Sequence, residues 1–148
     1  MKNKKTILIP IFSIIIVVIL IGLYFINSET KYSAENVLRD VNFSAEDPSV
    51  ELKKIDYEAE ELFIPIKLTE KTQQELIKAF EKSKFIKDDS VTISQDCHMV
   101  MTLNRGYYMF LDLDKKGILV QDSDGSFEEF VIEDDEGFFS ILEKAVTE

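Results

Sequence analysis

The 148-residue chain holds one cysteine, Cys97, and one histidine, His98, side by side. A lone thiol cannot form an intramolecular disulfide, so this is no stapled secreted scaffold and a core must hold the fold. Neither zinc-ligand spacing, a phosphate loop, a nucleotide fingerprint nor a serine-hydrolase elbow occurs anywhere. Basic residues are scarce: 17 Lys and Arg stand against 28 Asp and Glu, a formal charge of −11. Nucleic acid is therefore an unfavourable partner, since affinity for it comes mostly from cations that neutralise phosphates. Only two of the basic residues are Arg, and Ile is abundant. That skew is usual in AT-rich genomes and suggests a bacterial chain, in which the Asn42-Phe43-Ser44 sequon would be chance.

The most informative absence is of charge. Ile7 to Ile26 reads ILIPIFSIIIVVILIGLYFI without one charged residue. Twenty residues of helix at about 1.5 Å each span roughly 30 Å, the thickness of a bilayer core. A signal-peptide apolar region is shorter, about 7–15 residues, and Ile-Asn-Ser at 26–28 is a poor A-x-A cleavage site. No cysteine follows the run closely, so a lipoprotein is excluded. Pro10 falls in the first turn, where its missing N–H does little harm. Tyr24 and Phe25 sit where aromatic rings favour the membrane interface. Lys2, Lys4 and Lys5 precede the run and only Lys31 follows closely, which orients the N-terminus to the cytoplasm. The expectation is an uncleaved signal-anchor: cytoplasmic residues 1–6, a transmembrane helix over 7–26, and an extracytoplasmic remainder. Setting those three lysines aside leaves 14 basic against 28 acidic residues, or −14, outside the membrane.

Residues 27–49 are mostly polar and end in Asp47-Pro48-Ser49, which suggests a stalk. Val37, Leu38 and Val41 add one short helical turn able to dock on a domain. The folded part is expected over 50–148. Val50–Tyr57 and Leu62–Lys67 read as strands, and Pro65 implies a free edge in the second because it cannot donate to a ladder. Thr69 caps a helix whose apolar face is Leu76, Ile77 and Phe80, with Glu70 and Lys82 suited to the two ends of its dipole. From Val91 to Ile132, apolar residues alternate between turns rich in Asn, Asp and Gly, the pattern of an antiparallel meander. Phe138, Ile141, Leu142 and Ala145 form the core stripe of a last helix. The fold class is α+β: a transmembrane helix, then one antiparallel β-meander domain ordered ββα-ββββ(β)-α, with both amphipathic helices on one sheet face.

Few residues suggest chemistry. On a strand, Cys97 shares a face with Met99, Met101 and Leu103, while His98 faces the other way. A nucleophilic pair needs sulfur and imidazole within hydrogen-bond reach, so a core cysteine is the better reading. Asp122-Ser123-Asp124-Gly125 resembles part of a calcium loop. With Gly125 at the loop's sixth position, Val120 and Val131 occupy two ligand positions, and a hairpin turn accounts for the sequence. Glu133-Asp134-Asp135-Glu136 precedes a helix, where carboxylates complement the dipole. No catalytic, metal or cofactor residues are assigned.

The feature that exceeds structural need is Tyr107-Tyr108-Met109-Phe110, apolar on both faces. Val100 on the preceding strand and Phe130 on the last extend that second face. Either a piece of chain covers it, the commoner outcome, or it is a contact patch. With the edge at Pro65, the candidate partner-contact residues are Pro65, Val100, Tyr108 and Phe110. The expected function is a non-catalytic binding or regulatory module in the cell membrane, meeting another membrane or cell-envelope protein. The alternatives are a thiol- or carboxylate-dependent hydrolase and a cation-binding module.

Overall fold

The computed structural model describes residues 15–20, 30–88, 90, 92–134 and 137–147. The chain forms two compact units, residues 1–30 and residues 31–148. In the first, residues 15–20 are helical with exposed side chains. The rest of the apolar run on which the anchor expectation stands lies outside the described residues. Among the described residues, no helix is long and apolar enough to cross a membrane.

The second unit is α+β, built on one antiparallel sheet of eight strands. In chain order its elements are β1 (Lys31–Ser33), α1 (Ala34–Val37), β2 (Ser49–Ile55), β3 (Phe63–Ile66), α2 (Glu70–Lys82), β4 (Lys84–Lys87), β5 (Cys97–Thr102), β6 (Gly106–Asp112), β7 (Gly117–Gln121), β8 (Phe127–Asp134) and α3 (Phe138–Thr147). The sheet order is β1-β4-β8-β7-β6-β5-β2-β3. Strands β5 to β8 are the expected meander, each paired with the next. The β2–β3 hairpin flanks it on one side through β5, and β4 with β1 flank it on the other through β8.

Local chemistry sets the element boundaries. Thr69 caps α2 by accepting a hydrogen bond from the Thr72 N–H at 3.1 Å. Ser83 stops that helix in extended conformation, and its hydroxyl donates to the Ala79 carbonyl at 2.8 Å. The β7–β8 turn closes with Gly125 at φ +84°, a conformation that a Cβ would disfavour. Each strand then buries alternate residues: Cys97, Met99 and Met101 on β5, and Tyr107, Met109 and Leu111 on β6. Helices α2 and α3 pack together over this inner face, with Phe80 against both Phe85 and Phe138 at ring-centroid distances of 5.0 and 5.4 Å. Truncating a fully buried Phe of this kind costs about 3–5 kcal/mol.

Residues 31–45 differ from the stalk reading. The compact unit begins at Lys31 rather than near Val50. Strand β1 extends the sheet beside β4, and Ala34, Val37 and Leu38 enter the core on the helical side. The β5–β6 turn clamps this segment: Asn104 accepts from the Asn42 N–H at 2.9 Å and donates to the Asp40 carbonyl at 2.8 Å. Arg105 donates to the Arg39 carbonyl, and Arg39 in turn pairs with Asp122 at 2.6 Å and Glu128 at 3.4 Å. These partners are far away in sequence, so a polar composition read locally resembled a linker.

Candidate contact surface

The outer face of the sheet, opposite the helices, carries the residues of interest. Alternation puts Phe63 and Pro65 of β3, His98 and Val100 of β5, and Tyr108 and Phe110 of β6 on it, because their chain neighbours at 97, 99, 107, 109 and 111 are buried inside. Strand pairing gathers them. His98 lies opposite Phe110, Val100 opposite Tyr108, and Lys53 of β2 bridges Pro65 to His98. Phe130, which the sequence reading gave to this face, belongs to the core instead, and Phe127 takes its place: β8 pairs Phe130 with buried Ile118 and Phe127 with Gln121.

The rings form a connected cluster around His98. Its imidazole centroid is 5.7 Å from Phe63, 5.0 Å from Phe110 and 6.5 Å from Tyr108, and Phe110 continues to Phe127 at 6.0 Å. Tyr108, Phe127 and Phe63 remain 48%, 44% and 41% exposed. Burial, aided by Lys53, pulls the His98 pKa below its ordinary value, with Glu51 opposing, so the ring is neutral at pH 7 and adds to an apolar surface.

The expected cover is partial. Ile93 lies over Gly117 at the far end of this face, where a Cβ at 117 would meet the Ile93 side chain at 3.0 Å. The buried Asp112 carboxylate holds that strap by accepting from the Ser94 N–H at 2.7 Å and the Ser94 hydroxyl at 2.8 Å. It also accepts from the Lys115 N–H at 2.9 Å. In the other candidate cover, residues 31–33 are part of the sheet, and Ala34, Val37 and Leu38 go into the core on the helical side. Tyr108 and Phe127 stay open.

The edge at Pro65 is real but blunted. Strand β3 ends the sheet, and the Asp56 N–H bonded to the Leu62 carbonyl at 3.0 Å fixes the parity of the β2–β3 ladder. By that parity Ile64 and Ile66 bond to β2, while the backbone groups of Phe63 and Pro65 point away from the sheet. Pro65 has no N–H to offer there, so an added strand would lose a donor mid-ladder. At the other edge, β1 has only three residues. Contact through this face therefore relies on side chains.

The remaining candidates are occupied by structural work. Cys97 is fully buried among Met99, Met101 and Leu111, and burial pushes its thiol up to about 11, with Asp96 adding to and Lys54 opposing the shift. His98 points to the opposite side of the sheet. In the 122–125 turn, Asp122 holds Arg39, and Asp124 accepts from the Ser126 N–H and hydroxyl at 2.9 and 2.6 Å. Among the described residues, no three His, Cys, Asp or Glu side chains are grouped to hold a metal ion. Glu133 pairs with Lys31 at 2.6 Å, while residues 135 and 136 of the acidic run lie outside the described residues. A groove of about 460 Å³ runs between the β3–α2 connection and the end of α3, lined by Lys67, Thr69, Glu75 and Lys144 among others.

Comparison with family models, with curated proteins and with solved structures finds no match. The functional reading therefore stands on the outer face itself.

Proposed function

We propose that this chain is a membrane-anchored, non-catalytic binding module of the bacterial cell envelope, with its second unit outside the cytoplasm. The observation that carries the binding reading is the open aromatic cluster around His98, on a sheet whose other face already has a complete core. A ring-rich patch left in water on a small unit is uncommon unless something docks on it. Pro65, Val100, Tyr108 and Phe110 are its proposed contact residues. The anchor rests on the uncharged run from Ile7 to Ile26, and the orientation rests on Lys2, Lys4 and Lys5. Tethering would hold the unit near other envelope components and raise their effective concentration.

Two experiments test this. Alkaline extraction and protease accessibility in intact cells report anchoring and orientation; release by alkali, or protection of the second unit from external protease, would overturn that part. A photo-crosslinking amino acid at Tyr108, compared with one at the exposed α2 residue Lys78, tests the face. An adduct from 108 that is absent from 78 is expected, and its absence removes the face as a contact site.

A further inference from the structure

The outer face has a symmetry that its sequence does not advertise. One register row runs Pro65, Lys53, His98, Phe110, Leu119, Glu129 across strands β3, β2, β5, β6, β7 and β8. Lys53 sits two strands to one side of β6, and Glu129 sits two strands to the other. Phe110 and Tyr108 lie on β6 between them. The flanking positions on β5 and β7, His98 and Leu119, are both half-buried, and His98 belongs to the ring cluster.

We infer that the occupant of this face is a second copy of the same chain, packed sheet to sheet about a twofold axis that runs along β6. The inference rests on the outer face being a contact surface, and it names the partner. In a twofold contact, residue i of one copy meets residue j of the other and the reverse. An axis along β6 sets Lys53 of each copy against Glu129 of the other, His98 against Leu119, and Phe110 against its own counterpart. Stacked sheets lie roughly 10 Å apart and turn by about 30°, which shifts a position two strands from the axis by about 5 Å, within reach of Lys and Glu side chains.

The net charge of −11 opposes self-association at long range. At physiological salt, however, the screening length is about 8 Å, so charges beyond the rim of the contact are largely damped. Within the two central rows the charged residues are Glu51, Lys53 and Glu129. An exclusively cationic partner would meet Lys53, and an exclusively anionic one would meet Glu51 and Glu129. A second copy places a Lys53 against each Glu129, while Glu51 falls one row away, opposite the aromatic Phe127 position. The face is small. Six strands at about 4.8 Å spacing and two to three exposed rows give roughly 350 Å² per copy, below the ~600 Å² per partner of stable complexes. The dimer is therefore weak in dilute solution and forms where copies are concentrated, as on a shared membrane.

The test uses the full chain in intact cells. Tyr108→Cys lies beside the axis, and a short membrane-permeant bismaleimide spans stacked sheets, whereas Cys97 stays unlabelled and reports that the unit is folded. Cross-linking of 108 to 108 is expected. Lys53→Glu or Glu129→Lys, each added to Tyr108→Cys, should lower the cross-linked fraction about five- to tenfold, because two exposed pairs become two repulsions. The Lys53→Glu, Glu129→Lys double exchange should restore it to within about twofold. Folded protein with no 108–108 product, or a double exchange that fails to restore it, overturns the dimer. If a photo-crosslinker at 108 then captures a different protein, the contact-surface reading survives and only the identity of the occupant is wrong. If 108 captures nothing, both fall.

Discussion

Asp112→Ala should unpin the strap that covers one end of the outer face. The carboxylate is fully buried and accepts three hydrogen bonds, two from backbone N–H groups of Ser94 and Lys115 and one from the Ser94 hydroxyl. Alanine would leave both backbone donors without an acceptor, at about 1–3 kcal/mol each, while the hydroxyl can turn to water. The expected loss is about 2–6 kcal/mol, a large share of the ~5–15 kcal/mol typical of a domain. Asp112→Asn keeps one acceptor and should cost roughly half as much. Urea unfolding followed by circular dichroism gives both values from the shift in midpoint. The pH dependence supplies an independent check. Burial alone would raise the Asp112 pKa, but hydrogen bonds from Lys115 and Ser94 outweigh it and the net shift is downward. A carboxyl with a depressed folded-state pKa contributes stability above its unfolded value, near 3.9, and loses it as pH falls through the folded value. The gap between wild type and Asp112→Ala should thus be full at pH 7 and begin to narrow below about pH 4, by the part that depends on ionisation. An Asp112→Ala loss under about 1 kcal/mol, or a gap that does not depend on pH, would refute this account of the strap.

Cys97 should label slowly with thiol reagents when folded and completely when denatured. Its pKa of about 11, against an ordinary 9.0, cuts the thiolate fraction roughly a hundredfold at pH 8 before access is counted. Because that folded-state value is raised, the contribution is intact below pH 9 and fades as pH rises toward 11; fast labelling of folded protein would contradict the burial. Gly117→Ala should destabilise by about 1 kcal/mol through Ile93, and Ile93→Ala made first should remove most of that cost; thermal melts of the two single variants and the double variant decide. Millimolar calcium should leave the melting temperature unchanged, because Asp122 and Asp124 are engaged by Arg39 and Ser126; a rise of several degrees would show a bound ion.

Much of the second unit was legible because its signals are local. Alternation at 97–103 and 107–113 set both the meander and the opposite facings of Cys97 and His98, and Thr69 with the Leu76, Ile77, Phe80 stripe placed α2. Three features were not legible. Strand β1 is three residues long and takes its meaning from β4, so no periodicity marks it. Phe127 and Phe130 differ in strand parity, and only the pairing of β8 with β7 shows which of the two rings faces out. The grouping of Phe63 with His98 and Phe110 depends on β2 and β3 flanking β5, a pairing across the whole of α2 and β4. Candidate residues could be named one by one, but their assembly into one surface required the sheet order.

That sheet order also dictates when the unit can finish folding. Strands β1 and β4 are made early, yet β4 pairs with β8, so Phe85 must wait for Ile132. The β2–β3 hairpin is likewise complete long before Cys97–Thr102 arrives to flank it. A chain emerging N-terminus first therefore carries the β2–β3 hairpin unflanked until β5 is made, and β1 with β4 unflanked until β8 is present. Long-range pairing of this kind slows folding and prolongs exposure of unpaired strand edges. Truncation within β8 should accordingly leave no smaller folded core, but an aggregation-prone fragment ending in a nearly complete meander.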